Sequence, residues 1–145
     1  RRMALVIDAD ACPVTDIAIR IAAARGVEVT LVCDDAHEMR REDARTVTVS
    51  RGADSADFAL VNLLRPGDIV VTQDYGLAAM CLSRGARALH QDGWEYTAQN
   101  IDGLLSMRHA ARKARMAGGR TKGPPKRLRG QDECFARALE ELLGA

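Results

Sequence analysis

A chain of 145 residues with 47% hydrophobic but only 3% aromatic content suits one domain, residues 1–145, with a core of Val, Leu, Ile and Ala. No apolar run approaches the ~18 residues that cross a bilayer and no signal-peptide pattern opens the chain, so a cytoplasmic protein with no membrane partner is expected, Met3 being a candidate natural start behind Arg1 and Arg2. The net charge of +1 argues against bulk attraction to nucleic acid but is unevenly laid out: residues 1–102 carry 11 Lys/Arg against 16 Asp/Glu, residues 103–131 carry 9 against 0, and residues 132–145 carry 1 against 4.

The opening LVIDADACPV is an apolar run that stops at Asp8 and shows a second acid at Asp10. Residues 4–7 have the composition of a strand covered on both faces, as parallel strands usually are. Pro13 suits the first turn of a helix, which continues through Ile17, Ile21 and Ala24 to a stop at Gly26. Residues 27–34 alternate and are β-branched, a second strand, and the DAHEMRRED segment after them reads as a loop. A short third strand covers 45–49. Residues 53–64 place Ala56, Ala59, Leu60, Leu63 and Leu64 at helical spacing, and RPGD closes that helix with a turn. Residues 68–74 are another apolar strand, running into Thr72 and Asp74, followed by a helix over 76–85 and a last strand over 86–90.

The order β-α-β-β-α-β-α-β predicts a doubly wound, three-layer α/β fold with a mostly parallel sheet and helices on both faces. A C-terminal helical extension follows: a helix over 97–116, an irregular Gly/Pro-rich basic loop over 117–130, and a helix over 131–143. Cys12, Cys33, Cys81 and Cys134 form no C-x-x-C, and His37, His90 and His109 lack the spacing of zinc ligands, so neither a disulfide framework nor a zinc site is indicated. Cys12 beside the acidic turn is a candidate nucleophile, with a small buried residue as the favoured reading.

Acids gather at strand ends. Asp8 and Asp10 follow the first strand, Asp74 follows the strand at 68–74, and Asp54 and Asp57 share one face of a helix's first turn. Ligands of open α/β sheets collect outside the carboxyl ends of strands where the strand order reverses, so these acids sit where chemistry is usually done. If the strands bearing Asp8 and Asp74 are neighbours, their carboxylates repel unless a cation lies between them. Clustered carboxylates suit Mg²⁺ or Mn²⁺, and such a site supports metal-dependent phosphoryl chemistry, with a carboxylate or an activated water as the base. The plainer alternative makes Asp10 and Asp54 helix caps and Asp8 a solvated turn residue.

The segments LVIDADACPV, RGADSADFALV, GDIVVTQDYGLAAMCLSRGARAL and EYTAQNI with LLSMR resemble the YaiI/YqxD family over nearly the whole chain. That family is grouped with PIN-like and NYN-like nuclease domains, so the resemblance implies a Rossmann-like, PIN-like three-layer fold and a Mg²⁺/Mn²⁺ site of strand-end acids. Matched position by position, the implied acids are Asp8, Asp10, Asp54, Asp57 and Asp74, with Thr72 beside the last. Arg108, the TKGPP segment and Gln131-Asp132 before Phe135 also recur. Departures fall at Gln91-Asp92-Gly93, at His109-Ala110 and in residues 35–42, which puts any role for those stretches in doubt.

Three functions follow as expectations. The first is a metal-dependent nuclease acting on RNA, with Asp8, Asp10, Asp57 and Asp74 catalytic and a basic belt of Arg108, Arg112, Arg115, Arg120, Lys122, Lys126 and Arg127 gripping backbone phosphates. With only five aromatic side chains, base stacking would be limited. The second is a non-catalytic module that binds RNA or a ribosomal partner through the same belt. The third is a phosphatase of the haloacid-dehalogenase kind, with Asp8 as nucleophile and Asp10 as general acid. RNA and a second copy of the chain are the expected partners.

Overall fold

The computed structural model describes residues 2–10, 12–34, 41–49, 55–118 and 126–144, without the side chains at 55, 56, 108–111 and 115. Its elements run β1 (Ala4–Asp8), α1 (Thr15–Ala24), β2 (Glu28–Asp34), β3 (Arg45–Val49), α2 (Ser55–Leu63), β4 (Ile69–Val71), α3 (Tyr75–Ser83), β5 (Arg87–Leu89), β6 (Glu95–Tyr96), α4 (Ile101–Met116) and α5 (Arg129–Gly144). The strands form one sheet in the order β3-β2-β1-β4-β5-β6, parallel except for β6. The expected doubly wound α/β fold is therefore observed.

Alternation along β1 sorts its side chains between two layers. Leu5 and Ile7 join Leu31, Phe135 and Leu139 beneath α1 and α5. Val6 points the other way and packs with Val32, Val70, Leu60 and Leu77 beneath α2 and α3. Because both faces are covered, β1 and β4 read as continuous apolar runs, which is why they were recognisable without a periodic signal. A third cluster, of Ala78, Ala88, Tyr96 and Ile101, seats α4 against α3 at the β5–β6 end of the sheet.

The structure departs from expectation at element ends. Pro13 lies in the turn before α1; the helix starts at Thr15, and its N-cap, Val14, makes no side-chain cap bond. α4 begins at Ile101 rather than at residue 97, because Thr97 and Asn100 exchange side-chain-to-backbone hydrogen bonds (2.9 and 3.2 Å) that hold 97–100 as a turn. α5 starts at Arg129, two residues early, where the Gln131 side chain accepts the Leu128 N–H at 2.7 Å in the manner of a capping box. Strand β6 was missed altogether, since two residues cannot display an alternation; pairing of Ala88 with Tyr96 and Leu89 with Glu95 defines it. In the segment expected to be a loop after β2, residues 35–40 lie outside the described residues, 41 is irregular and 42–44 are turn and bend.

The β5–β6 turn rests directly on α5. Gly93 has a φ of +93°, and a Cβ added there would lie 2.6 Å from the carbonyl carbon of Cys134. Only glycine meets both demands, a left-handed backbone and close approach of another main chain. Among the described residues no helix is long and apolar enough to cross a membrane.

Candidate functional site

The chain leaves β1 toward β2 on one side and re-enters at β4 on the other, so the strand order reverses between β1 and β4. At the carboxyl end of that pair, Ile7 stands opposite Val71, which sets Asp8 beside Thr72. The Thr72 hydroxyl donates to Asp8 Oδ2 at 2.8 Å and accepts the Asp74 N–H at 3.0 Å. Tyr96 donates its hydroxyl to the Thr72 carbonyl at 3.1 Å, so this corner is braced from β6 as well. The condition left open by the sequence, that the strands carrying Asp8 and Asp74 be neighbours, holds.

Each acid has its own local work. Asp74 is the N-cap of α3, its Oδ1 accepting the Leu77 N–H at 3.2 Å. Asp10 does not cap α1; its carboxylate accepts the Asp34 N–H at 3.1 and 3.3 Å and ties the β1 loop to the end of β2. Asp57 stands in the first turn of α2, partly buried. Asp54 lies outside the described residues.

The acids act on one another electrostatically. Burial pushes the pKa of Asp8 up to about 6; the Thr72 hydrogen bond opposes this, and the charges of Asp57, Asp74 and Asp10 add to it. Desolvation and like charge thus both make ionised Asp8 costly. Among the described residues no three His, Cys, Asp or Glu side chains stand close enough together to hold a metal ion by themselves.

Arg112, Lys113 and Lys126 are exposed, whereas the side chains of Arg108 and Arg115 and the whole of Arg120 and Lys122 lie outside the described residues. Arg127 is engaged internally: its Nε donates to Asp132, Nη1 to Asp92 and Nη2 to the Gln91 carbonyl, each at 2.7 Å. It staples α5 to the β5–β6 turn. Cys12 is only partly buried, packed against the core beneath α1 and α5, and burial raises the pKa of its thiol, which fits a packing residue better than the nucleophile.

Sequence reasoning passed over the β5–β6 turn. His90 stacks on Trp94 with centroids 4.3 Å apart, and Trp94 meets Tyr96 edge-on at 4.6 Å. His90 Nδ1 accepts the Asp92 N–H at 3.0 Å, which assigns the ring as neutral with its proton on Nε2, and burial pushes its pKa down. The 3.7 Å approach of Asp92 to that same nitrogen is therefore no ion pair at neutral pH. The only available signal was that the chain's few aromatics bunch at 94–96.

A cavity of about 280 Å³ at the opposite, amino edge of the sheet is lined by Arg45, Arg65, Glu28 and Asp68 among others and contains none of the candidate residues. Asp68 there is a structural latch, accepting the N–H groups of Ala4 and Arg65 at 2.9 and 3.0 Å. The carboxylates of β1, its loop, α2 and the N-cap of α3 lie instead toward the carboxyl edge, where ligands of open α/β sheets usually collect.

Fold and site together define a doubly wound α/β protein with an acidic switch point. The chain belongs to the YaiI/YqxD family: the family model described as "Uncharacterized BCR, YaiI/YqxD family" matches residues 6–145. It is 53% identical over 141 residues to a "UPF0178 protein" of Exiguobacterium sibiricum, covering 97% of this chain and 96% of that relative. A "UPF0178 protein" of Ruminiclostridium cellulolyticum is 47% identical over 137 residues, covering 94% and 90%, and one of Enterococcus faecalis is 42% identical over 145, covering 97% of each.

Proposed function

We propose that the β1/β4 edge is the active site of a Mg²⁺- or Mn²⁺-dependent nuclease that hydrolyses phosphodiesters of RNA. The observation that carries this reading is the Thr72 hydroxyl at the strand-order reversal, which donates to the Asp8 carboxylate and accepts the Asp74 main-chain N–H, with the charges of Asp57, Asp74 and Asp10 all felt at Asp8. A partly buried carboxylate crowded by others is a poor resting arrangement that a divalent cation relieves. Hard oxygen donors suit these ions, and Mg²⁺ is usually held by one or two carboxylates plus waters and substrate phosphate. When bound, the cation would neutralise charge on the phosphodiester and make a water more acidic.

The protein's own part is to hold and to shuttle protons. Asp8 and Asp74 would hold the cation, Thr72 fixes the direction of Asp8, and Asp57, whose charge reaches Asp8, would take a proton from attacking water. Arg112 and Lys126, exposed at the basic stretch, would meet backbone phosphates.

A labelled RNA incubated with Mn²⁺ or with chelator tests the reading. Cleavage that needs the cation and falls at least ~100-fold in both Asp8→Asn and Asp74→Asn is expected, a magnitude typical of losing a group that acts at the reacting centre. RNA that binds equally to all three proteins and is never cut would contradict it and favour the non-catalytic binding module.

A further inference from the structure

The chain has only five aromatic side chains of the Phe, Tyr and Trp types. Two are core: Phe135 at 0% exposure and Tyr96 at 1%. The other three all stand at the carboxyl edge of the sheet. Phe58 follows Asp57 on α2, the helix lying over β1 to β3, and is 58% exposed. Tyr75 follows Asp74 at the start of α3, and Trp94 lies in the β5–β6 turn; both are partly exposed, their centroids 6.4 Å apart. Given the strand order, Asp8 on β1 and Asp74 after β4 fall between Phe58 on one flank and the Tyr75–Trp94 pair on the other. Scattered surface aromatics need no explanation. In so aromatic-poor a chain, gathering every exposed one around the acids does.

We infer that these flanking rings are stacking platforms for unpaired nucleobases, so that the substrate is a single strand whose backbone crosses the acidic edge between Phe58 and the Tyr75–Trp94 pair. Stacking is sequence-tolerant because every base has a π-face, and a base-paired duplex cannot offer its faces. The pair is pre-ordered: Trp94 stacks on His90 and makes a T-shaped contact with Tyr96, and Tyr96 is anchored to the Thr72 carbonyl. The expectation that stacking would be limited rested on the number of aromatics and not on where the fold puts them. This inference rests on the nuclease reading for its choice of ligand.

The chain has one tryptophan, so its emission reports on this flank. Metal-free protein would be titrated in chelator with a short oligoadenylate, with an abasic ribose-phosphate oligomer of equal length and with a short RNA duplex. Saturable quenching by oligoadenylate is expected, with the other two bound at least ~10-fold more weakly, as loss of base–aromatic stacking requires. Phe58→Ala, a safe change at so exposed a position, and Tyr75→Ala should each weaken oligoadenylate binding about 10-fold and leave abasic binding unchanged. Equal affinity for the abasic oligomer, or oligoadenylate binding indifferent to Phe58→Ala, overturns the inference. Repeating the set with Mn²⁺ separates the two claims: quenching and base discrimination without cleavage would overturn hydrolysis and support the platforms, whereas equally fast cleavage of strand and duplex would do the reverse.

Discussion

Asp8 is where the residue-scale account is most exposed. Its pKa is raised from 3.8 to about 6, so the folded state holds the proton more tightly than the unfolded chain does. Below about pH 3 both states are protonated and burial of Asp8 carries no ionisation penalty; the penalty grows as pH rises between about 3 and 7 and is complete above that, reaching about 3 kcal/mol from the size of the shift. Asn at this position keeps an oxygen for the Thr72 hydroxyl but no charge. Asp8→Asn is therefore expected to be about 1–3 kcal/mol more stable than wild type at pH 8, the difference vanishing towards about pH 3, by denaturant unfolding of metal-free protein. A variant less stable at pH 8 would mean that the acids do not crowd one another. Asp8 and Asp74 were legible from sequence because each ends an apolar strand. The roles of Asp10 and Asp74 in holding main chain were not, since a carboxylate's partner N–H depends on where β2 and α3 end in space.

At the scale of elements, the β5–β6 turn and the start of α5 form the joint that braces the site's outer wall. Arg127 spans it with three charge-assisted hydrogen bonds, and its side chain is 20% exposed, so these bonds are only partly screened. Gly93 sits in the same joint without room for a Cβ. Gly93→Ala combines left-handed strain with a main-chain clash and should cost more than about 2 kcal/mol in a denaturant melt, while Lys126→Ala, exposed one residue before Arg127, should cost less than about 0.5. Similar losses in the two variants would mean that turn and helix are not packed as described. Strands with long apolar runs declared themselves in the sequence. The two-residue β6 and the delayed start of α4 did not, because they are set by pairing with β5 and by the Thr97–Asn100 exchange.

At the scale of the molecule, charge is segregated along the chain: an excess of five acids in residues 1–102, nine uncompensated bases in 103–131, and three excess acids in 132–145. On the proposed reading, the basic stretch grips a single-stranded substrate and the acidic edge works on it. Binding of labelled RNA should weaken steeply with salt, and Arg112→Gln and Lys126→Gln should each reduce the slope of log affinity against log salt by roughly 0.7–1, the share of one phosphate contact. Unchanged slopes would mean that the exposed bases of this stretch only solvate the surface. The layered α/β architecture was readable in the order and periodicity of segments. What brings acids and aromatics to one edge was not, because it follows from the reversal between β1 and β4, a property of the sheet and not of any segment.

The central claim, that the β1/β4 edge binds a divalent cation, is tested most directly by calorimetric titration of Mn²⁺ into metal-free protein, alongside Asp8→Asn and Asp74→Asn variants shown to be folded. Saturable binding to the wild type that disappears in both variants is the predicted result. Binding that survives both substitutions, or a wild type that takes up no Mn²⁺ with or without RNA present, would contradict the claim and leave these acids as structural residues of the sheet edge.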